Sequence, residues 1–224
     1  MKKPSEYSGI TIVNKAILKP YFPMFGKDIN KGDLGRVIIV GGSSNYVGAI
    51  LLSAEAAMRS GAGTSMIAST KKVTNALRER VTFSGLYPLS GEDCIVFDKE
   101  QFDEISKGAS SFAVGMGMAK GDAYKIVGYL YSQTKANFVV DADGLKSLGL
   151  NAEKYDFRAV FTPHPKEFSY ISGLSVDEIL NNPIEVAKDY AVCHKVILLL
   201  KGFETVITDG ESAVSYTHLT LPTK

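Results

Sequence analysis

The residues best suited to chemistry in this sequence stand in loops that follow short apolar runs. Backbone N–H groups of glycines, serine hydroxyls, carboxylates, a histidine and a lysine could together bind a phosphorylated small molecule. The runs and their loops are Val37–Val40 before Gly41–Ala49, Phe112–Val114 before Gly115–Ala119, Phe138–Val140 before Asp141–Gly144, Ala159–Phe161 before Thr162–Glu167, and Val196–Leu200 before Lys201–Thr205. If the runs are parallel strands of one sheet, their loops share the edge where ligands bind in open α/β sheets. The pattern therefore predicts a nucleotide and small-molecule site.

The first loop, which begins Gly41-Gly42-Ser43-Ser44 and includes Gly48, precedes the helix predicted from Ala49. Unpaired N–H groups at a helix N-terminus attract anions such as phosphate, and small residues let a ligand approach the backbone. The Gly-Lys-Ser/Thr ending of a P-loop and the Gly-x-Gly-x-x-Gly of a Rossmann fingerprint are both absent. An ordinary tight turn and an anion-binding loop both remain open.

Two carboxylates, Asp141 and Asp143, follow the third run. An aspartate at a strand end often caps the next helix, but it can also bind Mg²⁺ directly or through water. Both interpretations stay open. The second loop, Gly115-Met116-Gly117, is by itself typical of a turn.

The fourth loop is the most specific, because His164 stands between Pro163 and Pro165. The two prolines restrict the backbone and therefore the direction of the imidazole. Glu167 begins a helix within one turn of His164. It is either a partner of the helix dipole or an outer ligand of magnesium bound to phosphates.

The fifth loop begins with Lys201, directly after the most apolar of the predicted strands. A lysine in this place is suited to contact a phosphate, since its ammonium is a compact point charge. The alternative is a solvated lysine at a strand end. The sequence alone leaves both open.

Alternating strands and helices must position these loops. Their composition and periodicity predict strands at Arg36–Val40, Thr64–Ala68, Phe112–Val114, Phe138–Val140, Ala159–Phe161, Val196–Leu200 and Val206–Thr208, and helices near Asn14–Leu18 and at Ala49–Ser60, Lys72–Arg80, Lys99–Ser106, Asp122–Tyr131, Phe168–Ser172, Val176–Leu180 and Ile184–Cys193. Ser175 is predicted to cap one of these helices. We expect a single α/β domain over residues 1–224, with an irregular arm at 1–35.

The charge balance excludes some classes of partner. Net charge is +1, from 25 basic and 24 acidic side chains, so nothing favours nucleic acid or an anionic membrane. No apolar stretch approaches the roughly 18 residues of a membrane span. The two cysteines, Cys94 and Cys193, are not in metal spacing, and we expect both to be buried. With no signal peptide in the printed sequence, a cytoplasmic location is expected.

The ordered set of loops resembles the ADP/ATP-dependent NAD(P)H-hydrate dehydratases over roughly residues 35–215. The motifs that carry the resemblance are Gly41–Ala49, Arg59-Ser60-Gly61-Ala62-Gly63, Gly115-x-Gly117, Asp141-Ala142-Asp143-Gly144-Leu145, Thr162-Pro163-His164-Pro165-x-Glu167 and Lys201-Gly202-x-x-Thr205. The resemblance implies a ribokinase-like fold, with a central, mostly parallel sheet and helices on both faces.

The resemblance also implies a repair reaction on the S epimer of hydrated NADH or NADPH. In that reaction the C6 hydroxyl of the hydrated nicotinamide is phosphorylated by ADP (or ATP), and phosphate is then eliminated. The products are NAD(P)H, AMP and phosphate. By the same resemblance, Mg²⁺ is the expected cofactor and a homotetramer the expected assembly. A chain without an epimerase domain favours ADP over ATP.

Site residues follow from the resemblance position by position. Ala49, Gly117 and His164 are expected to contact the hydrated dinucleotide. Glu167 is expected to help organise magnesium. The adenosine nucleotide is expected to lie on the fifth loop, which is Lys201, Gly202, Phe203, Glu204 and Thr205.

The sequence departs from the family pattern at its end. After the strand predicted near Ala213–Tyr216, the family continues to Asn-Pro-Gly-Met-Ala-Thr-Gly-Gly-Ser-Gly-Asp, which holds the anion hole and the general-base Asp. That segment is absent from these 224 residues, and the tail from about residue 217 to 224 does not match it. We therefore expect a C-terminally truncated chain with a non-native tail. Turnover should be low, because base and anion-hole groups each contribute about 10²–10⁴ in rate.

Two other functions fit parts of the pattern. A ribokinase-like kinase of a small molecule such as a vitamin precursor would share the fold and magnesium, but it would release a stable phosphorylated product. A non-catalytic nucleotide-binding module would explain why the general base is missing. The motif Thr162-Pro163-His164-Pro165 favours the dehydratase.

Overall fold

The structure, a computed structural model, describes residues 19, 28–119, 121–151 and 154–217. Two compact units are present, and we call Lys27–Gly149 the N-terminal unit and the residues from Leu150 onward the C-terminal unit. The helix predicted near Asn14–Leu18, most of the predicted arm and residues 218–224 of the tail lie outside the described residues. The expectation of a single domain stays a prediction.

Parallel strands form the sheet of the N-terminal unit, in the order β3-β2-β1-β4-β5. The strands are β1 Arg36–Val40, β2 Thr64–Thr70, β3 Gly85–Leu89, β4 Ser111–Val114 and β5 Asn137–Val140. Ile38, Ile39 and Val40 are fully buried. A continuous apolar run of this kind is expected for a central strand that is covered on both faces.

The chain order of the strands creates a switch point between β1 and β4. From β1 the chain forms β2 and β3 on one side, and it then returns to form β4 and β5 on the other. Ligands bind in the crevice outside such a point, because the two following loops diverge there. The predicted substrate residues Ala49 and Gly117 follow these two strands.

The helices of the N-terminal unit are α1 Val47–Arg59, α2 Lys71–Leu77, α3 Lys99–Ser106, α4 Ala123–Gln133 and α5 Asp143–Leu148. Helix α1 buries Ile50 and Ala54 against Ile39 and Ile67. The prediction for α3 is confirmed at both ends, and α4 buries the predicted Ile126, Val127 and Leu130. Helix positions were predictable because an apolar stripe at spacings of three and four residues marks the buried face.

The C-terminal unit combines parallel and antiparallel strands. Strands β6 Ala159–Phe161 and β7 Ile197–Leu200 are parallel, whereas β8 Glu204–Thr208 and β9 Ala213–Thr217 continue antiparallel from β7. Its helices are α6 Pro165–Ser172, α7 Val176–Asn181 and α8 Pro183–His194, and a 3₁₀ turn, Gly149–Asn151, spans the boundary between the units in the chain. No helix of the described residues is long and apolar enough to cross a membrane.

Strand β3, the unpredicted helix α5 and the two cysteines differ from the sequence analysis. Strand β3, Gly85–Leu89, was not predicted, because its glycine and Pro88 are both unfavourable in strands. It pairs with β2 at one side of the N-terminal sheet, where an edge strand tolerates proline. The expected burial of Cys193 is wrong: Ala187, Tyr190 and Ala191 form the buried face of α8, and Cys193 is exposed. Cys94 is only half-buried.

Candidate active site

The loop after β1 lies directly against the loop after β4. Gly42 N–H donates to Met116 O at 2.8 Å, and a Cβ on Gly41 would come within 2.5 Å of the same oxygen. Gly42 has φ +76°, a conformation that L side chains rarely adopt. The two glycines are therefore required for the close approach of these two backbone segments at the switch point.

Gly117 lies against Tyr46, the residue that precedes the helix holding Ala49. Gly117 has φ +66°, and a Cβ on it would lie 2.7 Å from Tyr46 Cβ. Tyr46 is the N-cap of α1, and Ala49 lies in the first turn of that helix with its side chain exposed. Within the N-terminal unit, the structure thus brings the two predicted substrate-binding segments into contact.

The N-terminus of α1 is open. Tyr46 makes no side-chain cap hydrogen bond, and the first turn holds no acidic residue. The first N–H groups of a helix have no partner within it, and the helix dipole adds a partial positive charge there. This end of α1 is therefore suited to accept a negatively charged group of a ligand.

A polar network outside the predicted motifs holds Ser44 in place. Ser44 Oγ donates to Asp93 Oδ1 at 2.7 Å, Ser44 N–H donates to Asp93 O at 3.0 Å, and Lys72 Nζ lies 2.9 Å from Asp93 Oδ1. Hydrogen bonds from Lys72 and Ser44 lower the pKa of Asp93 below its usual value. Sequence reasoning missed Asp93, since nothing local links it to a loop that lies so far away in the chain.

Asp143 ties the loop after β5 to the loop after β4. Its Oδ2 accepts a hydrogen bond from Ala119 N–H at 2.9 Å, and its Oδ1 lies 3.2 Å from Lys146 Nζ. The N-cap of α5 is Ala142, which makes no cap bond, so Asp143 is the first residue of the helix rather than its cap. These contacts assign Asp143 a role in holding the loop and leave its predicted link to magnesium untested.

His164 and Glu167 form a reciprocal cap at the start of α6. Glu167 N–H donates to His164 Nδ1 at 3.2 Å, and His164 N–H donates to Glu167 Oε2 at 2.9 Å. Pro165 occupies the first helical turn, where its missing N–H leaves no helical hydrogen bond unmade. A helix does begin in this loop, but at Pro165 and not at Glu167 as predicted, and the histidine is itself the capping residue.

The loops after β6 and β7 are joined at Lys201. Lys201 N–H donates to Pro163 O at 2.8 Å, and Lys201 Nζ lies 3.9 Å from Glu167 Oε2. The predicted histidine loop and the predicted nucleotide loop are therefore neighbours within the C-terminal unit. His164, Glu167 and Lys201 form one cluster there.

A cavity of about 320 Å³ opens beside this cluster. Its walls combine apolar side chains with most of the predicted nucleotide loop, and they consist of Pro165, Ile179, Leu180, Asn181, Pro183, Leu200, Lys201, Gly202, Phe203 and Glu204. Phe203 is 65% exposed and offers an aromatic surface. Thr205, the last predicted nucleotide residue, lies in β8 and not in the cavity wall. An apolar cavity with a lysine at its edge is suited to a base and a phosphate.

Protein ligands for a metal ion are not clustered in the part of the chain that the structure describes. No group of three or more His, Cys, Asp or Glu side chains is placed to hold an ion there. Glu167 Oε2 already accepts from His164 N–H, and Oε1 lies 3.4 Å from His164 Nε2. The described residues therefore do not fit an ion held by protein side chains alone.

Comparison with known proteins places these features in a family. The chain is 36% identical over 193 residues to a bifunctional NAD(P)H-hydrate repair enzyme of Hyperthermus butylicus, a match that covers 81% of this chain and 35% of that protein. The chain spans little more than a third of the length of the curated bifunctional relatives that it matches. The shared segment is thus one part of those longer proteins.

Solved structures show the same fold. A ribokinase-like superfamily protein of Enterococcus faecalis matches with a TM-score of 0.78 and 22% identity, over 94% of this chain and 72% of that one. The ADP/ATP-dependent NAD(P)H-hydrate dehydratase of Bacillus subtilis, co-crystallised with ATP and Mg²⁺, matches with a TM-score of 0.74 and 21% identity, over 93% and 73%. The predicted ribokinase-like α/β fold is confirmed.

A match to one protein-family model covers most of the chain. The NAD(P)H-hydrate dehydratase profile, Carb_kinase, matches residues 37–221, which include every loop described above. The resemblance predicted from the motifs is confirmed, and the chain belongs to the NAD(P)H-hydrate dehydratase family.

Proposed function

We propose that this chain carries the binding residues of an ADP-dependent (S)-NAD(P)H-hydrate dehydratase, a lyase that repairs hydrated nicotinamide dinucleotides. One observation carries the proposal. The loop that begins at Lys201 lines a cavity of about 320 Å³ and is hydrogen-bonded through its backbone to the loop that holds His164. A nucleotide loop and a substrate loop joined in this way suit a reaction between two bound molecules.

The proposed nucleotide residues have suitable chemistry. Lys201 would contact a phosphate of ADP, and the exposed ring of Phe203 offers a face for a purine base. Leu180, which is exposed, supplies apolar surface to the cavity wall. Gly202 allows the backbone to approach the ligand. Glu204 and Thr205 complete the proposed loop.

For the hydrated dinucleotide, we propose contacts with Ala49, Gly117 and His164. The open N-terminus of α1 would accept a negatively charged group of the substrate. Transfer of the terminal phosphoryl group of ADP to the C6 hydroxyl forms a phosphate ester and leaves AMP. Elimination of that phosphate then gives NAD(P)H, and both steps depend chiefly on position and on neutralised charge.

We propose that Mg²⁺ binds together with the phosphates of the nucleotide. Mg²⁺ keeps several waters and is commonly held by one or two carboxylates together with substrate phosphates. No group of three or more His, Cys, Asp or Glu side chains among the described residues could hold an ion, so phosphates and water would supply most of its ligands. A homotetramer and a cytoplasmic location likewise remain predictions. Sedimentation of the purified chain would measure its assembly state.

The reaction is tested by incubating the chain with (S)-NADPH hydrate, ADP and Mg²⁺, while NADPH absorbance and inorganic phosphate are followed. We expect saturable binding of ADP and of the hydrate, with phosphate and NADPH formed in equal amounts in whatever turnover occurs. The rate of turnover is measured in the same assay. A stable phosphorylated product would instead indicate a small-molecule kinase, and absence of ADP binding would overturn the proposal.

Lys201→Ala is the matched variant for the nucleotide half of the proposal. Loss of a charge-assisted contact to phosphate should weaken ADP binding by roughly tenfold. Affinity for NADPH hydrate should change much less, because the proposed hydrate contacts are Ala49, Gly117 and His164. Equal losses for both ligands would contradict the assignment of Lys201 to the nucleotide.

A further inference from the structure

Glu167 stands apart from the other ionisable side chains. Among the residues that the structure describes, it is the charged one that is buried, with 5% of its surface exposed. A buried carboxylate is unfavourable unless hydrogen bonds and opposite charge compensate for the lost water. Its contacts therefore indicate what the protein uses it for.

Among the described residues, the polar contacts of this carboxylate are made by His164 and Lys201. Oε2 accepts from His164 N–H at 2.9 Å and lies 3.9 Å from Lys201 Nζ, while Oε1 lies 3.4 Å from His164 Nε2. Oε2 thus accepts from the His164 backbone, and Oε1 lies against the His164 ring. A cation bound directly to Glu167 would compete with these contacts, and no further carboxylate is clustered beside it among the described residues.

The same residue contacts His164 at both ring nitrogens. The Glu167 N–H donates to Nδ1 at 3.2 Å, so Nδ1 carries a lone pair and the neutral ring carries its proton on Nε2. Carboxylate Oε1 lies 3.4 Å from Nε2, so the two contacts together restrict the direction of the ring. The imidazole is still 48% exposed, so a ligand can reach it.

We propose that Glu167 is a positioning residue, which fixes the His164 imidazole for the dinucleotide and does not ligate magnesium. This inference rests on the proposed function, because it takes His164 as a dinucleotide contact. It revises the role that the family resemblance implied for Glu167. The carboxylate acts through His164 and stays away from the reacting atoms.

A double-mutant cycle on NADPH binding tests this role, measured by calorimetry on the 224-residue chain. Glu167→Ala should weaken NADPH binding by roughly tenfold, the effect of a lost contact to a charged group. His164→Ala should weaken it by a similar factor, and the double variant should be no weaker than His164→Ala alone. Independent losses that multiply in the double variant would overturn the proposal.

Glu167→Gln separates positioning from magnesium binding. Glutamine keeps the acceptor of a capping box but removes the charge. If Glu167 positions His164, this variant should retain most NADPH affinity, and Mg²⁺ should change its ADP affinity by the same factor as in the wild type. If Glu167 ligates magnesium, glutamine should be as damaging as alanine, and the effect of Mg²⁺ on ADP affinity should disappear.

Glu178→Ala is the matched control, since Glu178 completes the same type of cap on α7 in the same unit. It should leave NADPH and ADP binding unchanged, and circular dichroism should show all variants folded. Nitrogen NMR of the His164 ring, at a pH where the ring is neutral, gives a readout that needs no ligand. The wild type should show the Nε2–H tautomer, and Glu167→Ala, which keeps the N–H at Nδ1 but loses both carboxylate contacts, should shift the ring nitrogen resonances. An unchanged ring spectrum in Glu167→Ala would contradict the inference, whereas failure of the wild type to bind NADPH would count against the proposed function alone.

Discussion

The C-terminal unit contains two capping boxes of the same design at the starts of α6 and α7. In the first, His164 caps the helix and Glu167 returns a hydrogen bond to the cap; in the second, Ser175 and Glu178 do the same. The Ser175–Glu178 box is exposed, whereas Glu167 is buried beside Lys201. The same local capping box can therefore stabilise a helix alone or also position a site residue, depending on which side chains pack against it.

Electrostatics separates the two boxes as well. Hydrogen bonds from the Ser175 hydroxyl and N–H lower the pKa of Glu178, and no other charge takes part in that shift. Glu167 instead lies against an imidazole and an ammonium group. The exposed box is therefore a purely local arrangement, and the buried one connects two loops.

The largest expected effect concerns the packing under the two helices. Phe168 of α6 is fully buried and packs edge to face on Tyr190, with ring centroids 5.2 Å apart. Phe168→Ala should lower the free energy of unfolding by about 3–5 kcal/mol, through lost burial and the cavity that remains. Urea unfolding measures this. A loss below about 1 kcal/mol would mean that α6 is not anchored by this ring.

An intermediate effect is expected at the exposed cap. Ser175→Ala removes the acceptor for Glu178 N–H, which lies 3.2 Å from Ser175 Oγ. The free energy of unfolding should fall by about 1 kcal/mol, the typical value for a lost serine cap. NADPH and ADP affinities should stay at wild-type values. A change in either affinity would contradict the inference that only the His164–Glu167 box affects ligand binding.

The smallest effect is a pH dependence of the exposed box. The pKa of Glu178 is lower in the folded chain than in the unfolded one, so the folded chain binds the carboxyl proton less tightly. Its stabilising contribution is full above about pH 4.3, the ordinary glutamate value, and is lost as the pH falls through the lowered folded value. Glu178→Gln should therefore lose less stability on acidification than the wild type. Identical acid profiles from urea unfolding would show that this hydrogen bond contributes nothing to the pH dependence.

Much of the fold could be predicted from the sequence, because its signals are local. Apolar runs marked β1 and β4, an apolar stripe marked α4, and Ser175 with Glu178 marked the start of α7. Strand β3 could not be predicted in the same way. Its glycine and Pro88 disfavour a strand, and only its neighbour β2 supplies the pairing.

The site was predictable only in part. Motif spelling identified the glycine loops, His164 and the loop at Lys201, since each needs particular residues next to one another in the chain. The Ser44–Asp93 contact and the Lys201–Pro163 hydrogen bond join segments that are distant in sequence. Such contacts leave no local pattern, so only the folded chain reveals them.

The sequence by itself determined the family, most of the strands and helices, and the identity of the loops that hold candidate site residues. These depend on local composition and short-range spacing. Tertiary structure alone decided that Glu167 is buried and that its carboxylate faces His164 and Lys201. The physical reason is that burial and charge pairing arise only when β6 and β7 bring their loops together. In the sequence, both capping boxes show the same pattern, a glutamate three residues after the cap.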